Sequence, residues 1–381
     1  MDKKKLSTII STIIFVVALI FGAYYMFTGS DPLGLFTEPT PTSIPPASED
    51  GSWWEVYFTD PATINDSSNL SGSIPEILID YIDQAQKTIH IASFEFNLTP
   101  VAEALVDAHE RGVEIIWITD DEHGIEADEE EGHGQFAMLK NAGIQVLDDG
   151  RSGLMHNKFW IFDEQILWSG STNITKNGNF RNNNNVIVLH SPQVAAIYER
   201  EFSEMLAGEF GVTSTSTLSK QTAEVNGTII QVLFASEDDV MGQLLPLIER
   251  AEKSIKFMAF SFTHDDLGNA MVDFASRGGD VQGIFETRGS ETPYSELTTF
   301  YCEGIPVRQD GNPGTFHHKI IIIDNKIVVT GSLNFSNNGL SSNDENALII
   351  YNAEIASLYL EEFERRWAEA TTPDPNDLEC K

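Results

Sequence analysis

Basic residues are scarce in this sequence. Its 381 residues include 23 Lys and Arg against 58 Asp and Glu, which gives a formal net charge of −35. Binding along a nucleic-acid backbone draws on clustered Lys and Arg, so the composition disfavours an extended, sequence-independent nucleic-acid surface. Beyond about 8 Å such charges are largely screened at physiological salt. The composition therefore does not exclude a local cationic pocket that cleaves phosphate esters.

Cysteine is also nearly absent, since Cys302 and Cys380 are the only two. Outside the cytoplasm they could form a disulfide that ties the C-terminal tail to the second half of the chain. Two unpaired thiols are the equal alternative. The acidic run at residues 119–134 lacks the ligand spacing of an EF-hand and is interpreted as a solvated loop rather than a Ca²⁺ site.

A long apolar run extends from Leu6 to Phe27, after three lysines at positions 3–5, and no Lys or Arg follows it before Lys87. The run is long enough for a hydrocarbon core of about 30 Å. The charge asymmetry predicts a single-pass membrane anchor at residues 1–27, with a cytoplasmic N-terminus and the remaining chain outside. A cleaved signal peptide is the alternative. Residues 28–52, rich in Pro, Thr and Ser, are predicted to be a linker.

The rest of the chain is internally duplicated. For example, "ALVDAHERGVEI" at 104–115 parallels "AMVDFASRGGDV" at 270–281, each a helix that stops at Arg-Gly and runs into a strand. Helices alternating with apolar strands predict an α/β fold of two tandem αβ repeats, with mixed β-sheets flanked by helices and packed as a pseudo-twofold intrachain dimer. The predicted segments are repeat 1 at 53–212, a connector at 213–227, repeat 2 at 228–370 and a tail at 371–381.

The pattern His-x-Lys-x4-Asp occurs twice, and both copies share the residues that follow it. Five positions recur with the same offset of 161 residues, which makes chance a poor explanation. They are His156, Lys158, Asp163, Ser171 and Asn173 in the first copy, and His317, Lys319, Asp324, Ser332 and Asn334 in the second. Two matched sets of this kind predict one active site built from two halves.

This doubled pattern resembles the phospholipase D superfamily, and the compact repeats resemble its nuclease and cardiolipin-hydrolase branch. The resemblance covers most of the chain beyond residue 53. It implies an active site at the interface between the repeats. It also implies a reaction in which one histidine becomes a covalent phosphohistidine and the other protonates the leaving alcohol, with no metal or other cofactor.

The chemistry of the paired residues agrees with that expectation. Two imidazoles can supply a nucleophile and a proton donor near neutral pH. Lys158, Lys319, Asn173 and Asn334 can supply the cations and donors that surround phosphoryl oxygens. Because His and Lys are two apart on a predicted strand, both should face the same side.

The remaining repeated positions have structural alternatives. Asp163 and Asp324 sit beside predicted turns, where turn capping is at least as good an explanation as catalysis. Ser171 and Ser332 follow a glycine and either hydrogen-bond the phosphohistidine or shape the turn.

The two halves differ at one position of interest. Glu345 lies 28 residues after His317, whereas Asn184 holds the equivalent place after His156. A carboxylate partner raises the pKa of a histidine, while an amide only orients the ring. The two histidines are therefore expected to differ in role, although the sequence leaves open which of them contacts Glu345. The resemblance implies that His156 is the nucleophile and His317 the acid.

These observations favour a membrane-anchored phosphodiesterase of phospholipase D type. Its expected substrate is a phospholipid at a membrane surface, and its expected state is a monomeric pseudo-dimer. A metal-independent endonuclease and a phosphatidyl transferase of the cardiolipin-synthase kind are the alternatives. The charge weighs against the endonuclease.

Overall fold

The structure, a computed structural model, describes residues 53–380. The predicted anchor at 1–27 and linker at 28–52 lie outside these residues. Within residues 53–380, no helix has both the length and the apolar character needed to cross a bilayer.

The first half of the described chain forms a mixed sheet of seven strands. The strands are β1 (Trp54–Phe58), β2 (Thr88–Ser93), β3 (Glu114–Thr119), β4 (Gln145–Asp148), β5 (Lys158–Phe162), β6 (Ile166–Gly170) and β7 (Asn185–His190). Their order is β1-β7-β6-β5-β2-β3-β4. Strands β2, β3 and β4 are parallel, and the other neighbours are antiparallel.

Five α-helices accompany this sheet. They are α1 (Ile74–Gln84), α2 (Thr99–Glu110), α3 (Gln135–Asn141), α4 (Lys176–Phe180) and α5 (Pro192–Leu206). Proline occupies the first turn of α1, α2 and α5, where its missing N–H has no intrahelical partner to lose. The apolar faces of α1 to α3 cover one side of the sheet.

The second half repeats this arrangement. Its strands are β8 (Thr222–Val225), β9 (Thr228–Phe234), β10 (Ser254–Ala259), β11 (Asp280–Phe285), β12 (Val307–Gln309), β13 (Lys319–Ile323), β14 (Ile327–Gly331) and β15 (Asn346–Tyr351). Its helices are α6 (Val240–Glu249), α7 (Asp265–Ser276), α8 (Glu296–Cys302), α9 (Asn337–Ser341) and α10 (Ala353–Glu369). The strand order, β12-β11-β10-β13-β14-β15-β9-β8, matches the first sheet with one strand added.

The added strand lies in the segment predicted as the connector. Within 213–227, β8 forms a hairpin with β9 at the edge of the second sheet. The hairpin turns at Asn226 and Gly227, both with positive φ, which is the conformation that an Asn-Gly turn adopts easily. The prediction of two αβ repeats with mixed sheets is confirmed.

A shared core joins the two repeats. One apolar cluster contains residues of both sheets together with α5 and α10, the helices that close each repeat. Two further clusters lie on the outer faces of the sheets, under α1–α3 and under α6–α8. All five residues of β5 and all five of β13 are buried, because each strand has the shared core on one face and an outer core on the other.

Cys302 and Cys380 form a disulfide, with their Cα atoms 5.5 Å apart. The bond joins the end of α8 to the C-terminal tail, which also pairs with β12 through Thr371 and Gln309. Of the two alternatives that the sequence left open, the structure contains the bridged pair.

Replacing both cysteines with alanine should lower the free energy of unfolding by about 2–4 kcal/mol, because the bond closes a loop spanning 78 residues. Thermal melts with and without dithiothreitol would measure this. The Tm of the double variant should not change when dithiothreitol is added. A parent melt that is unchanged after complete reduction would contradict the prediction.

Candidate active site

Backbone hydrogen bonds between the repeats position both motif histidines. The His156 N–H donates to the Asp344 carbonyl at 2.9 Å, and the His317 N–H donates to the Asn183 carbonyl at 2.9 Å. The regular strands begin at Lys158 and Lys319, so each histidine lies two residues before its strand. The prediction that the histidines lie on these strands is therefore wrong. The reason is that their N–H groups pair with the opposite repeat.

Each histidine is also held through its side chain by the opposite repeat. His156 Nδ1 lies 2.7 Å from Glu345 Oε2. His317 Nδ1 lies 2.9 Å from Asn184 Oδ1 and 3.1 Å from the Ser171 carbonyl. In both rings Nδ1 is occupied, so Nε2 is the nitrogen left for a substrate. This answers the open question of which histidine contacts Glu345.

The two motif lysines occupy equivalent positions beside the histidines. Lys158 Nζ donates to the His156 carbonyl at 2.7 Å, and Lys319 Nζ donates to the His317 carbonyl at 3.0 Å. Lys158 lies 4.9 Å from the ring centre of Phe94, and Lys319 lies 4.8 Å from that of Phe260. The same two phenylalanines pack edge-on against His156 and His317. Neither lysine forms an ion pair within residues 53–380.

Burial sets the charge balance of the site. It lowers the pKa of both histidines well below the usual value, and the neighbouring lysines lower it further. Burial also lowers the pKa of Lys158 to about 8 and that of Lys319 well below its ordinary value. Glu345 is fully buried, and burial raises its pKa to about 7. Two buried lysines that form no ion pair within residues 53–380 favour an anionic ligand in this pocket.

The two motif asparagines are placed differently. Asn173 Nδ2 donates to Glu95 Oε2 at 2.9 Å, and Glu95 in turn acts electrostatically on Lys158. Asn334 has no such side-chain hydrogen bond within residues 53–380. In both residues the Oδ1 atom is buried without a hydrogen-bond partner. The geometry therefore links Asn173 to the histidine and lysine pairs more directly than Asn334.

The two motif serines act on the residues that hold the histidines. Ser171 Oγ donates to Asn184 Oδ1 at 2.8 Å. Ser332 Oγ accepts from the Asn346 N–H at 3.0 Å and hydrogen-bonds Glu345. Both arrangements favour a positioning role over direct contact with the reacting atoms.

The two motif aspartates lie away from the histidines, in tight turns with positive φ. Asp163 accepts the N–H groups of residues 86–88, and Asp324 accepts those of residues 252–254. Each carboxylate thereby ties a turn of the motif hairpin to the start of β2 or β10. Burial alone would raise the pKa of Asp324, but these N–H donors outweigh it and hold the pKa below its usual value. The contacts of Asp163 and Asp324 are those expected for turn capping.

Two buried asparagines at the repeat interface were not singled out from the sequence. Asn185 Nδ2 donates to Thr330 Oγ1 at 2.8 Å, and Asn346 Nδ2 donates to Asn157 Oδ1 at 2.7 Å. Each bond crosses between repeats. The signal was present, because Asn185 and Asn346 follow Asn184 and Glu345 with the same 161-residue offset.

Two buried carboxylates next to the motifs were also missed. Asp120 accepts the Met155 N–H at 3.1 Å, and Glu286 accepts the Phe316 N–H. Met155 and Phe316 directly precede the two histidines. Asp120 and Glu286 follow β3 and β11, where a carboxylate ending a buried strand was the available signal.

The comparisons with known proteins agree with this geometry. A family model described as a cardiolipin synthase, PLD-like domain matches residues 78–206 and 244–367, once in each repeat. The chain belongs to the phospholipase D superfamily. A solved structure of phosphatidylserine synthase from Haemophilus influenzae shares the superfamily fold at a TM-score of 0.61 and 14% identity, over 80% of this chain and 86% of that one.

Curated relatives of this superfamily member match about one repeat's length. Mitochondrial cardiolipin hydrolase of Mus musculus is 36% identical over 129 residues, which is 34% of this chain and 58% of that protein. Phospholipase D of Rickettsia felis is 35% identical over 121 residues, or 32% of this chain and 60% of that protein. The chain thus spans little more than half the length of either relative.

Replacing Asp324 with alanine should lower the free energy of unfolding by about 1–3 kcal/mol, because the N–H groups of residues 252–254 lose a charged acceptor. Asp324→Asn keeps an acceptor and tolerates the positive φ, so it should lose less. Urea unfolding of the parent and both variants measures the difference. Equal stability of the alanine and asparagine variants would argue against the capping role.

Proposed function

We propose that this protein is a phospholipase D-type phosphodiesterase that hydrolyses the head-group ester of a phospholipid through a covalent phosphohistidine. The observation that carries the proposal is the pair of histidines, each held at Nδ1 by the opposite repeat, beside two buried lysines without an ion pair in the described chain. Such a site offers two reactive Nε2 atoms and a place for an anion.

In the first step His156 Nε2 attacks the phosphorus atom with its lone pair. The bond from phosphorus to the head-group oxygen breaks, and that oxygen takes the Nε2 proton of His317. Lys158 and Lys319 neutralise the charge on the phosphoryl oxygens. The products of this step are the free head-group alcohol and a phosphohistidine on His156.

In the second step water replaces the head group. His317 Nε2, now unprotonated, accepts a proton from water as the oxygen attacks phosphorus. The bond from phosphorus to His156 Nε2 breaks, and phosphatidic acid leaves. Both histidines are then returned to their starting protonation states.

The partners at Nδ1 support this division of roles. An ionised Glu345 accepts a hydrogen bond from the Nδ1–H of His156. The proton therefore stays on Nδ1, which leaves a lone pair on Nε2 and makes that atom more basic. Asn184 orients His317 without stabilising its positive charge, so His317 releases a proton more readily. Because burial and the lysines lower the pKa of His317, its protonation is expected to accompany binding of the anionic phosphate.

Three observations favour a lipid substrate over nucleic acid. The net charge of −35 repels a polyanion at long range. The N-terminal apolar run, if it anchors the chain, raises the local concentration of lipid around an outward-facing site. The names of the curated relatives, cardiolipin hydrolase and phospholipase D, agree with a lipid substrate. Cleavage of DNA and transfer to an alcohol are outcomes that the test below separates.

The full-length protein with EDTA present should release phosphatidic acid from phosphatidyl lipids or cardiolipin and leave single-stranded DNA intact. His317→Ala should lose roughly 10²–10⁴-fold in rate, and His156→Ala more, since proton transfer is worth less than the nucleophile itself. Mass spectrometry of the products gives the readout, including any phosphatidyl-alcohol formed when glycerol is added.

Matched thermal melts of the parent and both variants separate lost chemistry from lost folding. Activity that persists in both histidine variants would overturn the mechanism. Cleavage of the single-stranded DNA without hydrolysis of the lipid would assign the protein to the nuclease branch. When the lipid offered is not cardiolipin and glycerol is added, phosphatidylglycerol as the main product would assign the protein as a transferase.

The pH profile of kcat/KM should rise through about pH 7, where Glu345 loses its proton, because a protonated Glu345 forces the imidazole proton of His156 onto Nε2. Glu345→Gln should be slower and lack this rise. Asn184→Asp should shift the limb of the profile that His317 sets to higher pH, since a carboxylate partner raises the pKa of this histidine. A Glu345→Gln profile that keeps the rise near pH 7 would assign it to another group.

A further inference from the structure

A buried carboxylate on α5 has no partner that compensates its charge. Glu201 is 5% exposed, and within residues 53–380 no donor or cation forms a hydrogen bond or ion pair with its carboxylate. Oxygen atoms of Glu204 and Glu237 lie within 4.8 Å of it and of each other. Glu237 comes from the loop after β9, so the three carboxylates join the end of repeat 1 to the start of repeat 2.

In the second repeat, cations balance the charge of the equivalent carboxylate. Glu362 on α10 lies 161 positions after Glu201 and is 2% exposed. It accepts from Arg366 Nε at 2.8 Å and from Arg365 Nε at 2.8 Å, and it lies 3.2 Å from His318 Nε2. Although burial raises its pKa, these cations lower the pKa of Glu362 to about 2.

The first repeat lacks all three of those partners. The positions of His318, Arg365 and Arg366 are taken by Asn157, Glu204 and Met205. The Asn157 oxygen is used by Asn346, and Glu204 adds negative charge where the second repeat has an arginine. The chain therefore supplies cations to the buried glutamate in one repeat and further carboxylates in the other.

Two oxygen atoms of the cluster itself, Glu204 Oε2 and Glu237 Oε2, are buried without a hydrogen-bond partner. Ser214 Oγ and Gln221 Oε1, in the segment between α5 and β8, are also buried without one. Gln221 is fully buried, and its Nε2 donates to Asp238, the neighbour of Glu237, at 2.9 Å. A buried carboxylate is unstable without a cation or a proton, so the site needs a positive charge that residues 53–380 do not provide.

A second group of carboxylates near the active site is different. Asp120, Asp121 and Asp149 also lie within 4.8 Å of one another. Arg151 forms an ion pair with Asp149 at 3.1 Å, and Asp120 accepts the N–H groups of Met155 and His123. Because these carboxylates already have partners, the group does not need a bound cation in the way that Glu201 does.

We propose that Glu201, Glu204 and Glu237 bind a divalent cation, with Ca²⁺ as the expected ion. The available ligands are all oxygen atoms, which hard cations prefer, and oxygens bound at about 2.4 Å must lie within about 5 Å of one another. The cation replaces the arginines of the second repeat and links α5 to the loop after β9. This site is separate from the histidine site and does not depend on the proposed function.

The full-length protein, stripped with EDTA, should bind Ca²⁺ in isothermal titration calorimetry with a stoichiometry near one. Saturating Ca²⁺ should raise Tm by roughly 3–6 °C, because a ligand that binds only the folded state stabilises it. Mg²⁺ should have less effect, since it binds poorly to a cage that offers few waters.

Three variants make the assignment specific. Glu237→Gln should abolish the heat and the Tm shift, whereas Glu364→Gln, an exposed carboxylate on the equivalent helix α10, should keep both. Glu204→Arg supplies Glu201 with the cation that Arg365 gives Glu362. It should raise Tm in EDTA and remove the response to Ca²⁺. A parent that binds no Ca²⁺ up to about 10 mM, or a Glu237→Gln variant that responds like the parent, would overturn the proposal.

Discussion

The candidate active site depends on backbone hydrogen bonds that cross between the repeats. The N–H of His156 ends on the carbonyl of Asp344, and the N–H of His317 ends on the carbonyl of Asn183. These bonds fix where each motif strand begins, and hence the direction in which each histidine points. The side-chain contacts to Glu345 and Asn184 follow from the same pairing, because the residue next to each accepting carbonyl supplies the partner. Neither repeat can build this site without the other.

Low exposure gives the site its electrostatic character. Two lysines and two histidines lie in a region where burial disfavours every charge, and one carboxylate, Glu345, is held among them. Burial moves the pKa of Glu345 up and the pKa of Lys158 down, toward the same neutral range. An arriving phosphate changes this balance because it supplies the missing negative charge. Substrate binding and charging of the catalytic groups are thus expected to be coupled.

Much of this arrangement could be predicted because the sequence contains two copies of each motif. The 161-residue offset identified both motifs, and alternating helices and apolar strands predicted two mixed sheets. What the sequence left open depended on distant contacts. Periodicity assigned His156 to a strand, but its N–H pairs with the other repeat. The partner of Glu345 and the bond between Cys302 and Cys380 depend on packing. The roles of Asn185 and Asp120 also depend on contacts between distant segments. The 161-residue offset marked Asn185 and the end of a buried strand marked Asp120, but neither signal names the contact.

The cross-repeat exchange has a consequence for how such a protein can diverge. In a symmetric dimer of single repeats, one gene encodes both halves, so both histidines must have the same partner. Joining the halves in one chain removes that constraint, and each half can then change independently. Asn184 opposite Glu345, and Glu204 opposite Arg365, are two places where this chain has used that freedom. The two repeats thus share one backbone arrangement but place different partners at these equivalent positions.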